Sequence, residues 1–122
     1  MLLSTQPNQA EAALESYDRS LAIDPSDVGC WYNRALLLTK RQRLEDAVIS
    51  YERALAIDPD NDSCWHNQAL LLEQLGRYEA ALNSYDRLLD IYSRTKPPQA
   101  TPWIRDKQTE LLRRIERRED HS

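Results

Sequence analysis

This chain of 122 residues has no phenylalanine, one methionine, two histidines and only two glycines. So few glycines leave no glycine-rich phosphate loop. The histidines are His66 and His121. Cys64 lies two residues before His66, an offset that points the two side chains to different helix faces, so zinc is not expected. Glu45-Asp46 and Asp58, Asp60 and Asp62 lack the spacing of a metal loop. No nucleophile signature is present either. The expectation is a non-enzymatic chain without metal or cofactor. No apolar run reaches the roughly 20 residues that span a membrane, and Met1-Leu2-Leu3 is too short and lacks the basic flank of a secretory signal. A cytoplasmic protein that does not act on membranes is the default that follows. The formal net charge of -4 argues against nucleic acid as the main partner.

What is present is an internal repeat. Pro25 to Ile57 returns as Pro59 to Ile91: Cys30-Trp31 as Cys64-Trp65, Asn33 as Asn67, Ala35-Leu36-Leu37-Leu38 as Ala69-Leu70-Leu71-Leu72, and Ser50-Tyr51 as Ser84-Tyr85. The second half also stands upstream, where Ser16-Tyr17-Asp18-Arg19 reads like Ser50-Tyr51-Glu52-Arg53. A fixed period of this size means stacked supersecondary units, each unable to bury its apolar face alone. The two cysteines hold equivalent places near helix starts and read as small buried apolar residues rather than a disulfide.

Each unit divides into two helices. Trp31, Ala35, Leu36 and Leu38 fall at helical spacing, with Asp27 placed to cap the first helix. A break follows near Arg41-Gln42-Arg43. Leu44, Ala47, Val48, Tyr51, Ala54, Leu55 and Ile57 then form a wide apolar stripe, ended by Asp58-Pro59. In the second unit Asn61 or Asp62 opens, Gly76 marks the turn, and Tyr78 to Tyr92 makes the second helix. Gly76 can take a left-handed conformation freely; Gln42 at the same place is expected to strain its turn by up to about 1 kcal/mol.

These residues carry a resemblance to the tetratricopeptide repeat. Trp31, Ala35, Leu38, Ala47, Tyr51, Ala54 and Pro59 hold signature places in one unit, and Trp65, Ala69, Leu72, Gly76, Tyr78, Ala81, Tyr85 and Leu88 in the next. There are departures: Arg34 and Gln68 where leucine is common, Leu88 in place of a small alanine, and no proline one period after Pro59. The resemblance implies an all-α fold, a right-handed superhelical array of antiparallel helix pairs with a C-terminal capping helix. The expected organisation is an array over residues 1–95, with a partial repeat at 1–25 and full repeats at about 26–59 and 60–93. A proline-rich break at 96–100 and a capping helix with a frayed tail at 101–122 complete it.

The ends differ from the middle. Aligning Met1-Leu2-Leu3 with Ala35-Leu36-Leu37 places the chain start inside a first helix, followed by a second helix from Gln9 to Ile23. A surface bearing Leu14, Tyr17 and Leu21 is then expected to be incompletely covered and to drive homo-oligomerisation through the incomplete N-terminal repeat. At the other end, Thr101-Pro102 starts a helix with Thr101 as cap. Trp103 comes four residues late for a third repeat, and Lys107 stands where a small residue belongs. Ile104, Gln108, Leu111, Leu112 and Ile115 make its apolar stripe. Arg113, Arg114, Arg117 and Arg118 interleave with Glu110, Glu116 and Glu119, which reads as an ion-paired face.

The resemblance places function on the concave wall made by the first helices, which in the family receives peptide segments of partner proteins. Those positions are Tyr32, Asn33, Leu36, Thr39 and Lys40 in one unit and His66, Asn67, Leu70, Glu73 and Gln74 in the next. The asparagines can hold a peptide backbone, or bond across the helix stack instead. Family members that clamp a chaperone's terminal carboxylate use lysines, an arginine and asparagines on this wall. Asn33 matches one such place, but Tyr32 and Leu36 replace the lysine and the second asparagine, and Asp62, Ser63 and Asn67 supply no later cation. The expected function is therefore a protein–protein interaction module for another kind of peptide. The alternatives are a structural, self-associating repeat protein and a fragment of a larger regulator or enzyme.

Overall fold

The computed structural model describes the backbone of residues 2–120 and the side chains of residues 9–119. Six α-helices follow one another: α1 (Leu2–Ile23), α2 (Val28–Lys40), α3 (Leu44–Ile57), α4 (Asp62–Gln74), α5 (Tyr78–Thr95) and α6 (Pro102–Asp120). A short 3₁₀ turn (Pro98–Ala100) precedes α6, and there is no strand among the described residues. His121 and the end of the chain lie outside the described residues. The contacts divide the chain after Pro59 into two compact units, one built from α1–α3 and the other from α4–α6.

The same local chemistry builds the central hairpin of each unit. Asp27 caps α2 by accepting from the Cys30 amide at 3.1 Å, and Asn61 caps α4 by accepting from the Cys64 amide at 3.0 Å. Both first helices close on a left-handed residue, Gln42 at φ 62° and Gly76 at φ 75°. The amides of Arg43 and Arg77 then reach back to the carbonyls of Leu38 and Leu72, each at 2.9 Å. This six-to-one bond satisfies a carbonyl that the helix end would otherwise leave bare. Gln42 adopts the strained conformation that its place in the repeat demands. Glu45 and Asp46 stand in the first turn of α3, where the helix dipole favours acids.

Alanines allow the helices to approach closely. Ala35, Ala47 and Ala54 in the first unit, and Ala69 and Ala81 in the second, have no exposed surface. Tyr51 and Tyr85 fill the space beside them and are buried. Cys30 and Cys64 are buried and free, each a small apolar filler. α3 stops at Ile57, before Asp58-Pro59, whereas α5 runs on to Thr95, because Ser93 stands where the proline would be.

Two expectations about the N-terminus are corrected. Residues 2–23 form a single helix rather than the end of one helix and the start of another. Extending one helix through Gln9 avoids the costly nucleation of a second. Leu14 and Leu21 are buried, at 6% and 7% exposure, so the surface expected to carry both is already covered; only Tyr17 of the three is half-buried.

The second unit ends in α6, which packs on α5 through the fully buried Ile104 and Leu111. Leu88, large where the repeat favours alanine, is also fully buried in this unit. Leu112 departs from the expected stripe and is 47% exposed. The Thr101 hydroxyl donates to the Pro98 carbonyl at 3.0 Å, tying the 3₁₀ turn to the start of α6.

Candidate functional site

Residues i, i+1, i+4, i+7 and i+8 of a helix share one face. Tyr32, Asn33, Leu36, Thr39 and Lys40 are such a set on α2, and His66, Asn67, Leu70, Glu73 and Gln74 are the matching set on α4. The two sets belong to different units, and their surroundings differ.

On α2 the face is largely open. Asn33 and Lys40 are exposed and Leu36 is 40% exposed. Tyr32 is half-buried, with its ring edge-on to Tyr51 at 6.2 Å. Thr39 turns its hydroxyl inward, donating to the Ala35 carbonyl at 2.8 Å. Tyr17 of α1 joins Asn33, Leu36, Leu37 and Lys40 around an open cavity of about 220 Å³.

On α4 part of the same face is covered by α6. The His66 ring lies 4.9 Å from the Trp103 ring, and Trp103 also stands edge-on to Tyr85 and Tyr92, at 6.4 and 6.3 Å. Glu73 accepts from the Tyr85 hydroxyl at 2.5 Å and from the Lys107 ammonium at 3.3 Å. Leu70, at 42% exposure, and Gln74 remain open, while Asn67 is half-buried.

Burial shifts the titrating groups here. It lowers the His66 pKa, because the imidazolium loses water; Lys107 adds to this, and Asp62 and Glu73 oppose it. Burial also raises the Tyr85 phenol far above its usual range, and the hydrogen bond to Glu73 adds to the effect. The Cys30 thiol is raised by burial, with the negative charges of Asp27 and Asp18 acting the same way, so it is not a reactive thiolate.

Sequence reasoning missed that α6 claims His66 and Glu73. Lys107 stands one repeat period after Glu73, and that spacing was the available signal. Part of the basic face of α6 is committed to the unit as well. Arg114 pairs with Glu110 at 3.4 Å, Arg118 pairs with Glu79, and both guanidiniums lie over the Tyr78 ring, at 5.7 and 5.9 Å.

The departures at Arg34 and Gln68 also resolve differently. Arg34 donates to Asp18 at 2.8 Å and to the buried Ser50 hydroxyl at 2.7 Å, bridging all three helices of its unit. Gln68 is only 7% exposed, and its side-chain oxygen has no hydrogen-bond partner among the described residues.

Paired antiparallel helices repeated at a fixed period, with alanines at the crossings and a left-handed turn within each pair, define an all-α repeat array. The chain belongs to the tetratricopeptide repeat family: one model of that repeat matches residues 2–64, and a second matches residues 50–83. No curated protein matches it. Among solved structures, the chain is similar to the TPR2B domain of yeast Sti1 in its pHsp70 complex. That match has a TM-score of 0.72 and 17% identity, covering 90% of this chain and 88% of the other. The type III secretion translocator chaperone SycD of Yersinia enterocolitica matches with a TM-score of 0.75 and 14% identity, over 94% of this chain and 80% of that one. The first TPR of Spaghetti (RPAP3), bound to the HSP90 peptide SRMEEVD, matches with a TM-score of 0.68 and 18% identity, over 88% and 86%. At these identities the likeness is one of fold.

Proposed function

We propose that this chain is a non-catalytic protein–protein interaction module that binds peptide segments of a partner on the first-helix face of each repeat, α2 in one unit and α4 in the other. It acts in the cytoplasm without a cofactor, residues 1–95 serving as the array and residues 101–122 as its cap. The observation that carries this reading is the pair Leu36 and Leu70, leucines left 40% and 42% exposed at the same place in both repeats. Beside them stand Asn33, Lys40 and Gln74, exposed polar groups able to hold a peptide backbone. Membership of a repeat family supports a surface of this kind over a catalytic pocket. Chaperone peptides bound by structural neighbours are not the proposed ligand, because Tyr32 and Leu36 stand where that clamp needs a lysine and an asparagine.

The test is the pair of substitutions Leu36→Glu and Leu70→Glu, made in the full chain and used as bait beside the unaltered protein. Both sites are exposed, so the helical circular dichroism signal should not change. A partner captured by the unaltered chain should be lost, at about 1–3 kcal/mol for each leucine that acts as a binding hot spot. Equal capture by the doubly substituted chain would rule out these faces.

A further inference from the structure

The start of α5 and the later turns of α6 meet at Tyr78, which is half-buried. The guanidiniums of Arg114 and Arg118 lie over its ring at 5.7 and 5.9 Å, and Arg114 donates to its hydroxyl at 3.4 Å. Both of these arginines already have a carboxylate, Arg114 in Glu110 and Arg118 in Glu79. Arg117 is different. It stands on the same side of α6 and, with Arg114 and Tyr78, lines an open cavity of about 260 Å³. Arg117 forms no ion pair among the described residues; its Nε donates to the Arg113 carbonyl at 3.5 Å, which leaves both terminal nitrogens free. Arg113, one turn earlier, is exposed and also forms no ion pair among the described residues.

We infer that this cavity receives an acidic side chain from a segment of a partner protein, with Arg117 as the charged anchor and Tyr78 as the floor. Charge selects the occupant. Three guanidiniums, of Arg114, Arg117 and Arg118, stand against two carboxylates, of Glu79 and Glu110, so one positive charge is left over at the cavity. A single carboxylate balances it. The run of phosphates in a nucleic acid would instead press further negative charge onto Glu79 and Glu110, on a chain whose net charge is already -4. The site is also prepared in advance. Arg114 and Arg118 are held by the Tyr78 ring and by their own carboxylates, so little of the wall has to be ordered when a ligand arrives. The free terminal nitrogens of Arg117 suit a two-point bond to a carboxylate. Arg113 extends the positive patch by one turn and favours a second acid beside the first. This surface belongs to α5 and α6, apart from the α2 and α4 faces, and its case does not depend on them.

The test titrates the isotope-labelled full chain with two blocked peptides, Gly-Glu-Ser-Glu-Gly and Gly-Gln-Ser-Gln-Gly, at low salt. The glutamate peptide should shift the Arg117 side-chain Nε–H and the Tyr78 amide saturably, and the glutamine peptide should not. Arg117→Gln is an exposed change that should leave the helical circular dichroism signal intact and weaken the glutamate peptide by about five-fold. Arg105→Gln, at an exposed arginine elsewhere on α6, should leave that affinity unchanged. Absence of shifts with the glutamate peptide at about 10 mM, a concentration that detects even weak affinity, overturns the inference. Equal shifts from the two peptides, or equal affinity in Arg117→Gln, overturn it as well. A single-stranded oligonucleotide that moves the same signals at lower concentration than the glutamate peptide would assign the cavity to nucleic acid instead. Shifts of Arg117 and Tyr78 on concentrating the chain alone would assign it to a second copy and overturn the partner segment.

Discussion

The two hairpins, α2–α3 and α4–α5, are nearly the same object: the same caps, the same turn, and alanines and tyrosines in register. They differ in the third helix of their unit. α1 precedes the first hairpin and carries the residue pattern of a second helix. α6 follows the second hairpin and brings Trp103 and Lys107 onto the α4 face. Equivalent residues therefore meet different fates. Thr39 bonds to its own helix, while Glu73 joins Tyr85 to Lys107. A repeat fixes what each hairpin is; its neighbours fix which of its surfaces remain open.

That contrast can be broken most severely at the tyrosines. Tyr85→Ala should lower the stability read from urea denaturation by about 3–5 kcal/mol, as for other large aromatics removed from a core. Tyr17→Ala, at the equivalent but half-buried place, should cost about 1 kcal/mol, since the loss scales with buried area. Equal costs would show that Tyr17 is packed as fully as Tyr85.

A sharper comparison sets Arg34 against Gln68. Arg34→Leu strips the buried Ser50 hydroxyl and Asp18 of a charged donor and should destabilise by about 1–3 kcal/mol. Gln68→Leu removes a buried oxygen that lacks a hydrogen-bond partner and should stabilise by about 1 kcal/mol. The two changes, at equivalent places in successive repeats, should move the denaturation midpoint in opposite directions.

The smallest effect lies in the turns. Gln42→Gly should stabilise by about 1 kcal/mol, because a side chain in the left-handed region carries a steric cost that glycine lacks. Gly76→Gln should reverse the sign by a similar amount. No side chain would clash at Gly76, where a Cβ meets nothing within 4 Å, so the backbone conformation alone is tested. Melting temperatures of the two variants would decide it.

Much of this was legible in the residues. The period fixed the hairpins, Asp27 and Asn61 announced the caps, and Pro59 set the end of α3. Each of these is local chemistry, acting within a few residues along the chain. The strain at Gln42 was readable for the same reason, by comparison with Gly76. What escaped was non-local. The notion of a bare Leu14–Leu21 surface treated α1 as an isolated helix and did not count its burial within the first unit. Leu112 looked like a core residue by spacing alone. On the candidate faces, the one-period spacing of Lys107 from Glu73 was the only hint that α6 would cover α4, and it did not reach the contact of Trp103 with His66.

The amino-acid order by itself determined the helices, their turns and the family, because capping, proline stops and a recurring apolar rhythm are properties of neighbours in sequence. Only the tertiary structure decided which helix faces water. Exposure depends on which third helix arrives to cover each hairpin, and that is settled by packing between residues far apart in the chain.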